Sequence, residues 1–227
     1  MSNKRISVII RSKNEEKWLA SCLYAVRNQN YSDIEIIVVD NESIDNTVAI
    51  AKKYDAVLVK ISDEEFNYSY ALNKGIQVAT GDFIAILSGH CIPVNEWWLN
   101  TLKANFDCSD IAGVYGRQEP MSDSSPFDKR DLWMTFGLDR KVQVKDFFFH
   151  NANSMILKEI WKKLPFNTDI NGLEDRGWAK RILELGYKIV YEPYASVYHH
   201  HGLHHSGSVK RVERVVKVLE SIQKDLI

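Results

Sequence analysis

The sequence has little of what marks a specialised environment. It holds three cysteines (Cys22, Cys91 and Cys108) and five prolines in 227 residues. Cysteines so few and so scattered make neither a disulfide framework nor a Cys-x-x-Cys metal knuckle, and a reducing, cytoplasmic setting is expected. No apolar run approaches the roughly 20 residues of a membrane span, and the polar start MSNKR has no signal-peptide core. An excess of one charge is also missing. The 29 Lys+Arg against 30 Asp+Glu leave a net charge of -1, which excludes the broad cationic surface of a nucleic-acid wrapper. Neither G-x-G-x-x-G nor G-x-x-x-x-G-K-[ST] occurs, so the usual dinucleotide fingerprint and the ATPase phosphate loop are unsupported.

What is present reads as an ordinary globular chain, 45% hydrophobic and 26% charged, of a length that suits one generous domain. One feature is skewed. Five of the seven histidines lie between positions 199 and 205, in HHHGLHH. Such a tract either binds metal or forms a polar surface loop. His200, His204 and His205 are expected to be solvent-exposed.

The first half alternates strand and helix patterns. ISVII at 6–10 is a short β-branched run suited to burial on both faces. Ser12 and Glu15 have capping-box spacing ahead of the helical series Trp18, Leu19, Cys22, Leu23, Val26. IEIIVV at 34–39 ends on Asp40, a helix follows near 46–54, and AVLVK at 56–60 forms a third strand. A helix over 68–79 leads through Gly81-Asp82 into FIAIL at 83–87. A helix carrying Trp97, Trp98, Leu99 and Leu102 precedes a strand at 111–115. This alternation predicts an α/β fold of parallel βαβ units. Residues 116–150 read as loop-rich and aromatic, with Phe147 to Phe149 in the core and Trp133 left open. Beyond them lie helices at 157–163 and 174–185, the latter stopped at Gly186. The strands KIVYE and ASVYH come next. A last helix, 208–226, has Val209, Val212, Val216, Leu219, Ile222 and Leu226 on one face. That helix either packs on its own domain, the favoured reading, or makes a peripheral membrane or dimer contact.

In an open parallel sheet, ligands bind beyond the carboxyl ends of the strands. Three polar clusters stand at such exits: Arg11 to Glu15, Asp40 to Glu42, and Ser88 to Cys91. Singly, these residues cap helices and make turns; together they point to one crevice. There a carboxylate can hold a base or ribose, and cations a diphosphate.

The residues carry a resemblance. ISVIIRSKNEEKWLASCL at 6–23 resembles the opening of the family 2 glycosyltransferases, a strand followed by P-T-Y-N-E-E and an amphipathic helix. VVDNESIDNT at 38–47 looks like their V-V-D-D-x-S-x-D-x-T turn, and ALNKGIQVATGDFIAIL at 71–87 their helix, turn and strand before the metal motif. NANSMILKEIWKKL at 151–164 is similar to the acceptor-side segment. GLEDRGWAKRILELGYKIVYEP at 172–193 is similar to the catalytic segment and the strand behind it.

The resemblance implies a GT-A fold, a Rossmann-like mostly parallel sheet flanked by helices. A nucleotide-binding half (about 1–115) would be followed by an acceptor-binding half (about 116–205) in a single domain. It implies an inverting enzyme that moves a sugar from a nucleotide-sugar donor to a glycan or lipid-linked acceptor in cell-surface polysaccharide synthesis, at the inner face of the membrane. Arg11, Lys13, Glu15, Asp40, Asn41 and Ser88 would contact the donor, with Asp40 carrying most of the base recognition. Asp175 would be the general base and Glu174 its hydrogen-bonding support; the alternative for Asp175 is a charge complementing the helix dipole.

The chain departs from the family at its metal motif. Ser88-Gly89-His90 replaces the D-x-D that holds Mn²⁺ or Mg²⁺ on the donor diphosphate. Either His90 is itself a ligand, joined by His199 and His201, or His90, Arg11 or Lys13 stabilises the diphosphate directly. Two other readings compete: a non-catalytic sugar-nucleotide or glycan-binding module, and a zinc hydrolase built on His90 and the 199–205 tract. No ordered ligand motif supports the hydrolase.

Overall fold

The computed structural model describes residues 4–170, 172–203, 205 and 207–224. The expected opening strands are β1 (Ile6–Ser12), β2 (Ile34–Asn41), β3 (Val57–Ile61) and β4 (Phe83–Ser88), with α1 (Leu19–Arg27), α2 (Thr47–Lys53) and α3 (Tyr68–Val78) between them. A short β5 (Cys91–Pro93) and α4 (Trp98–Lys103) follow, then β6 (Ile111–Pro120), α5 (Pro126–Thr135), β7 (Lys141–Gln143) and β8 (Asn153–Leu157). The chain continues through α6 (Lys158–Lys163), α7 (Glu174–Glu184), β9 (Lys188–His199) and α8 (Val209–Lys224). Among the described residues, nine strands make one sheet in the order β3-β2-β1-β4-β8-β6-β9-β5, with β7 also on β9.

The sheet is mixed. β3, β2, β1 and β4 run parallel, as the alternation requires. β8 enters antiparallel between β4 and β6, and β9 returns parallel to β6. The loop-rich reading of 116–150 is corrected: β6 runs on to Pro120, and Ser125 caps α5 by accepting the Asp128 N–H, with Pro126 in the first turn. KIVYE and ASVYH are one strand, β9, and its pairing with β6 takes up a register shift at Gly116/Gln118. The capping box is also corrected. Ser12 completes β1, and α1 begins at Leu19 with no side-chain cap.

Period-2 burial splits the core into two layers. Ile6, Val8 and Ile10 of β1 face Leu19, Leu23, Trp98 and Leu102, whereas Ile9 faces Leu72, Ile76 and the layer that includes Phe149 and Trp178. Each buried Ile or Leu contributes about 1.5–3 kcal/mol. α3 lies close on the sheet because Gly75 has no Cβ: one built there would meet Ile9 Cγ2 and Val39 Cγ2 at 2.7 Å. Phe149 is fully buried and Phe147 and Phe148 partly so, while Trp133 is exposed. α7 stops as expected, with Gly186 at φ 83° and the N–H groups of Gly186 and Tyr187 returning to Leu183 and Ile182.

α8 packs on its own domain, as expected, but with only part of the expected face: Ile222 of that face is buried, and Leu219 partly so. Val209, Val212 and Val216 point outward, and Ile222 is buried on the packed side with Val215 and Val218. Its far end is held by Lys180 Nζ, which donates to the Ile222 carbonyl at 2.8 Å. Positions 225–226 of the expected helix, and His204, lie outside the described residues. No described helix is long and apolar enough to cross a membrane.

Candidate active site

Sheet direction decides which residues meet. β1, β2 and β4 end at one edge, with Arg11 beside Ser88 and Ser12 beside Asp40. Antiparallel β8 starts at that edge, Asn153 opposite Leu87, so His150 and Asn151 arrive there too. β9 ends there, and its pairing with β5 sets His199 opposite Cys91, one residue from His90. Gly89 permits the crossing, since a Cβ on it would stand 2.7 Å from Ser12 Oγ.

Two cavities open along this edge. One, of about 340 Å³, is lined by Arg11, Ser12, Lys13, Glu15, Asn41, Ser88 and His90, with Phe66 and Tyr68. The other, of about 150 Å³, holds Glu174, Asp175, Asn151, His150, His199 and His201, and α8 closes it with Arg211, Arg214, Val215 and Val218. Arg11, Tyr68, Ser88 and His90 line both, which makes one continuous cleft.

The carboxylates sit at the first turn of α7, behind a left-handed turn at Gly172 (φ 82°) and Leu173 (φ 63°). Asp175 Oδ2 accepts the Asn151 N–H at 3.1 Å, and Oδ1 accepts the Arg176 N–H at 2.8 Å. Glu174 Oε1 accepts Asn151 Nδ2 at 3.3 Å and lies 3.9 Å from Arg11 Nη2. Both are buried. Burial, reinforced by the charge of Asp175, raises the Glu174 carboxyl to about 6, and burial raises Asp175 as well. Arg176 lies over the Phe148 ring at 4.6 Å.

The histidines form a second wall of the same cavity. His90 Nδ1 meets Glu15 Oε1 at 2.5 Å, and Ser88 Oγ is 3.1 Å from its Nε2. His199 Nδ1 meets Gln118 Oε1 at 2.7 Å, and His201 Nδ1 meets the Gly202 carbonyl at 3.0 Å. One ring nitrogen each of His90, His199 and His201 lies within 4.8 Å of the others. Burial and the neighbouring histidines hold His199 well below the usual imidazole range and His201 at about 3, so both rings are neutral. His205 is exposed, as expected, yet its ring lies 3.8 Å from that of His201. His200 is half-buried against Trp18, at 5.1 Å, rather than free in solvent. The donor set fits a divalent cation, because His199 Nε2 is a buried nitrogen without a hydrogen-bond partner among the described residues.

Of the expected donor residues, Arg11, Lys13, Glu15, Asn41 and Ser88 line the cleft; Asp40 does not. It is buried at the end of β2, where Oδ2 accepts the Ser43 N–H at 3.3 Å and Oδ1 has no partner among the described residues. Lys13 pairs with Asp63 at the rim. Sequence reasoning missed Tyr68, His150, Asn151, Arg211 and Arg214. NAN at 151–153, in the acceptor-side segment, was the available signal for Asn151.

Comparison with known proteins fits this geometry. Residues 7–165 match glycosyl transferase family 2. The chain is 28% identical over 191 residues to the O-antigen chain rhamnosyltransferase WbaN of Salmonella anatum, covering 78% of this chain and 60% of that protein. It is 27% identical over 195 residues to the glycosyltransferase AglE of Haloferax volcanii, covering 82% and 64%. Its fold matches the mannosyltransferase PcManGT from Pyrobaculum calidifontis, solved with GDP-Man and Mn²⁺, at a TM-score of 0.75 and 19% identity. That match covers 100% of this chain and 65% of the other. The architecture is therefore the GT-A fold. The chain belongs to glycosyl transferase family 2, and it spans about 60–64% of the length of these two curated relatives.

Proposed function

We propose that this chain transfers a sugar from a nucleoside-diphosphate sugar to a hydroxyl of a glycan or lipid-linked acceptor, with inversion, in assembly of a cell-surface polysaccharide. The observation that carries the reading is the shared wall of Arg11, Tyr68, Ser88 and His90. It joins the strand-exit cavity to the carboxylate pair. The strand-exit cavity takes the nucleotide, where Lys13 and Asn41 supply polar contacts and Phe66 and Tyr68 apolar faces. The similarity to an O-antigen chain rhamnosyltransferase supports the polysaccharide setting. Cys22 and Cys91, buried free thiols, suit the cytoplasmic side.

In the reaction the acceptor oxygen bonds to the anomeric carbon, and the bond from that carbon to the diphosphate oxygen breaks on the opposite face. The hydroxyl proton passes to Asp175, and the electron pair leaves with the nucleoside diphosphate. Two backbone N–H groups hold the Asp175 carboxylate in one orientation. Arg11, with Arg211 and Arg214 from α8, brings positive charge to the cleft for the leaving group. His90, His199 and His201 would hold a divalent cation, which when bound neutralises diphosphate charge.

The reading is tested by thermal shifts with nucleoside diphosphates and nucleotide sugars, each with and without Mn²⁺. Stabilisation by one nucleotide class, together with donor hydrolysis, supports it; no response to any nucleotide sinks it. Binding with no hydrolysis or transfer would favour a non-catalytic module.

A further inference from the structure

The hydrogen bonds around the histidine cluster fix which nitrogen each ring presents. His150 Nδ1 accepts the Ala152 N–H at 3.3 Å, so the group facing it at 3.0 Å must be a donor, Gln118 Nε2. The other end of that amide, Oε1, therefore accepts from His199 Nδ1. His199 thus carries its proton on Nδ1 and leaves Nε2 as a bare lone pair. The ring is only 3% exposed, and Nε2 finds no partner among the described residues. A buried acceptor left empty is costly, unlike a ring that is simply packed. His201 follows the same pattern, its Nδ1 spent on the Gly202 carbonyl, and His90 turns Nδ1 to the Glu15 carboxylate, leaving on Nε2 only the Ser88 hydroxyl at 3.1 Å for an ion to displace. Three imidazoles each backed by an oxygen acceptor reproduce the outer shell of metal-bound histidines.

Among the described residues, no carboxylate belongs to the cluster itself. We infer that His90, His199 and His201 form an all-imidazole metal site that selects a nitrogen-preferring ion of the Zn²⁺ or Co²⁺ class and excludes Mg²⁺. The inference rests on the proposed function in taking the divalent-cation site of that cleft as real. Mg²⁺ demands near-octahedral oxygen ligands and dehydrates reluctantly, and affinity for nitrogen sites rises from Mn²⁺ towards Zn²⁺. The nitrogens, within 4.8 Å of each other, need to close to about 3.3 Å for a tetrahedral ion at about 2.0–2.1 Å.

The test strips the purified protein with a chelator and titrates Co²⁺, followed by visible absorption and calorimetry, with Zn²⁺, Mn²⁺ and Mg²⁺ as competitors. One Co²⁺ per chain should bind and be displaced by Zn²⁺, with Mn²⁺ far weaker and millimolar Mg²⁺ without effect. His201→Ala, at a half-buried position, should weaken Co²⁺ by about 100-fold or more, and Glu15→Gln by about 10- to 100-fold through His90. Circular dichroism confirms that both variants are folded. Equal competition by Mg²⁺, or Co²⁺ binding that survives His201→Ala, overturns the inference. Nucleotide-sugar binding in the same preparations separates the two claims. Donor turnover with Mg²⁺ equal to Co²⁺ removes the metal assignment and leaves the transferase; the expected ion order without donor binding keeps the site and removes the transferase.

Discussion

The two walls of the cleft bury like groups side by side and resolve the conflict in opposite ways. Glu174 and Asp175 are fastened by Asn151, by the Arg176 N–H and by the nearness of Arg11. Those contacts keep charge available near neutral pH although burial resists it. His199 and His201 have one nitrogen fastened each, and burial with the neighbouring histidines drives their protons off. One wall keeps carboxylates that can accept a proton; the other presents lone pairs that can accept a cation. Arg11 lines the same cavity as both walls.

The largest blow to this division is Asp175→Asn. Transfer should fall by about 10²- to 10⁴-fold, the usual range for a lost general base, while nucleotide affinity by calorimetry stays within about twofold. Arg11→Ala comes next, since it touches both walls. It should weaken nucleoside diphosphate binding by roughly 10-fold, the scale of one charge-assisted hydrogen bond, and raise the Glu174 carboxyl by removing the cation that lowers it.

Glu174→Gln sharpens the comparison through pH. The folded-state value of about 6 lies above the ordinary 4.5, so the folded chain holds this proton more tightly than the unfolded one. Stability is then lost as pH rises from about 4.5 through 6, by on the order of 1–2 kcal/mol. Glu174→Gln should raise Tm at pH 8 and leave it unchanged at pH 4 in thermal melts, and it should shift the acid limb of the rate profile. The smallest effect belongs to Lys13→Ala. Its pairing with Asp63 is between exposed side chains, so urea unfolding should move by less than about 1 kcal/mol while the donor KM rises a few-fold.

The donor wall was legible because β1, β2 and β4 are continuous β-branched runs whose polar exits follow directly. The histidine wall was legible only in part. His90 and His199 could be paired through the family's pattern, but the contact itself depends on three-residue β5, too short to stand out in a sequence. β8 stayed hidden because NSMIL follows the stretch read as loop-rich and enters the sheet antiparallel, outside the βαβ alternation of the first half. The packed side of α8 was legible only at Ile222 and Leu219, because valines mark two of its faces. Val209, Val212 and Val216 repeat at helical spacing as Val215, Val218 and Ile222 do, and periodicity has no term to choose between them. Asp40 carries the turn motif; its Oδ2 takes the Ser43 N–H, and it is not among the residues that line the two cavities. Glu15 had been assigned to a helix cap and to the donor; it lines the cleft, but its hydrogen bond goes to His90.

The measurement that reaches the central claim most directly is the position of a bound nucleoside diphosphate in a crystal of this protein. The nucleoside should lie among Lys13, Asn41 and Tyr68, with the diphosphate beside Arg11, Ser88 and His90 and aimed at Asp175. A diphosphate bound away from that shared wall, or one facing neither the histidines nor the carboxylate pair, would contradict the account.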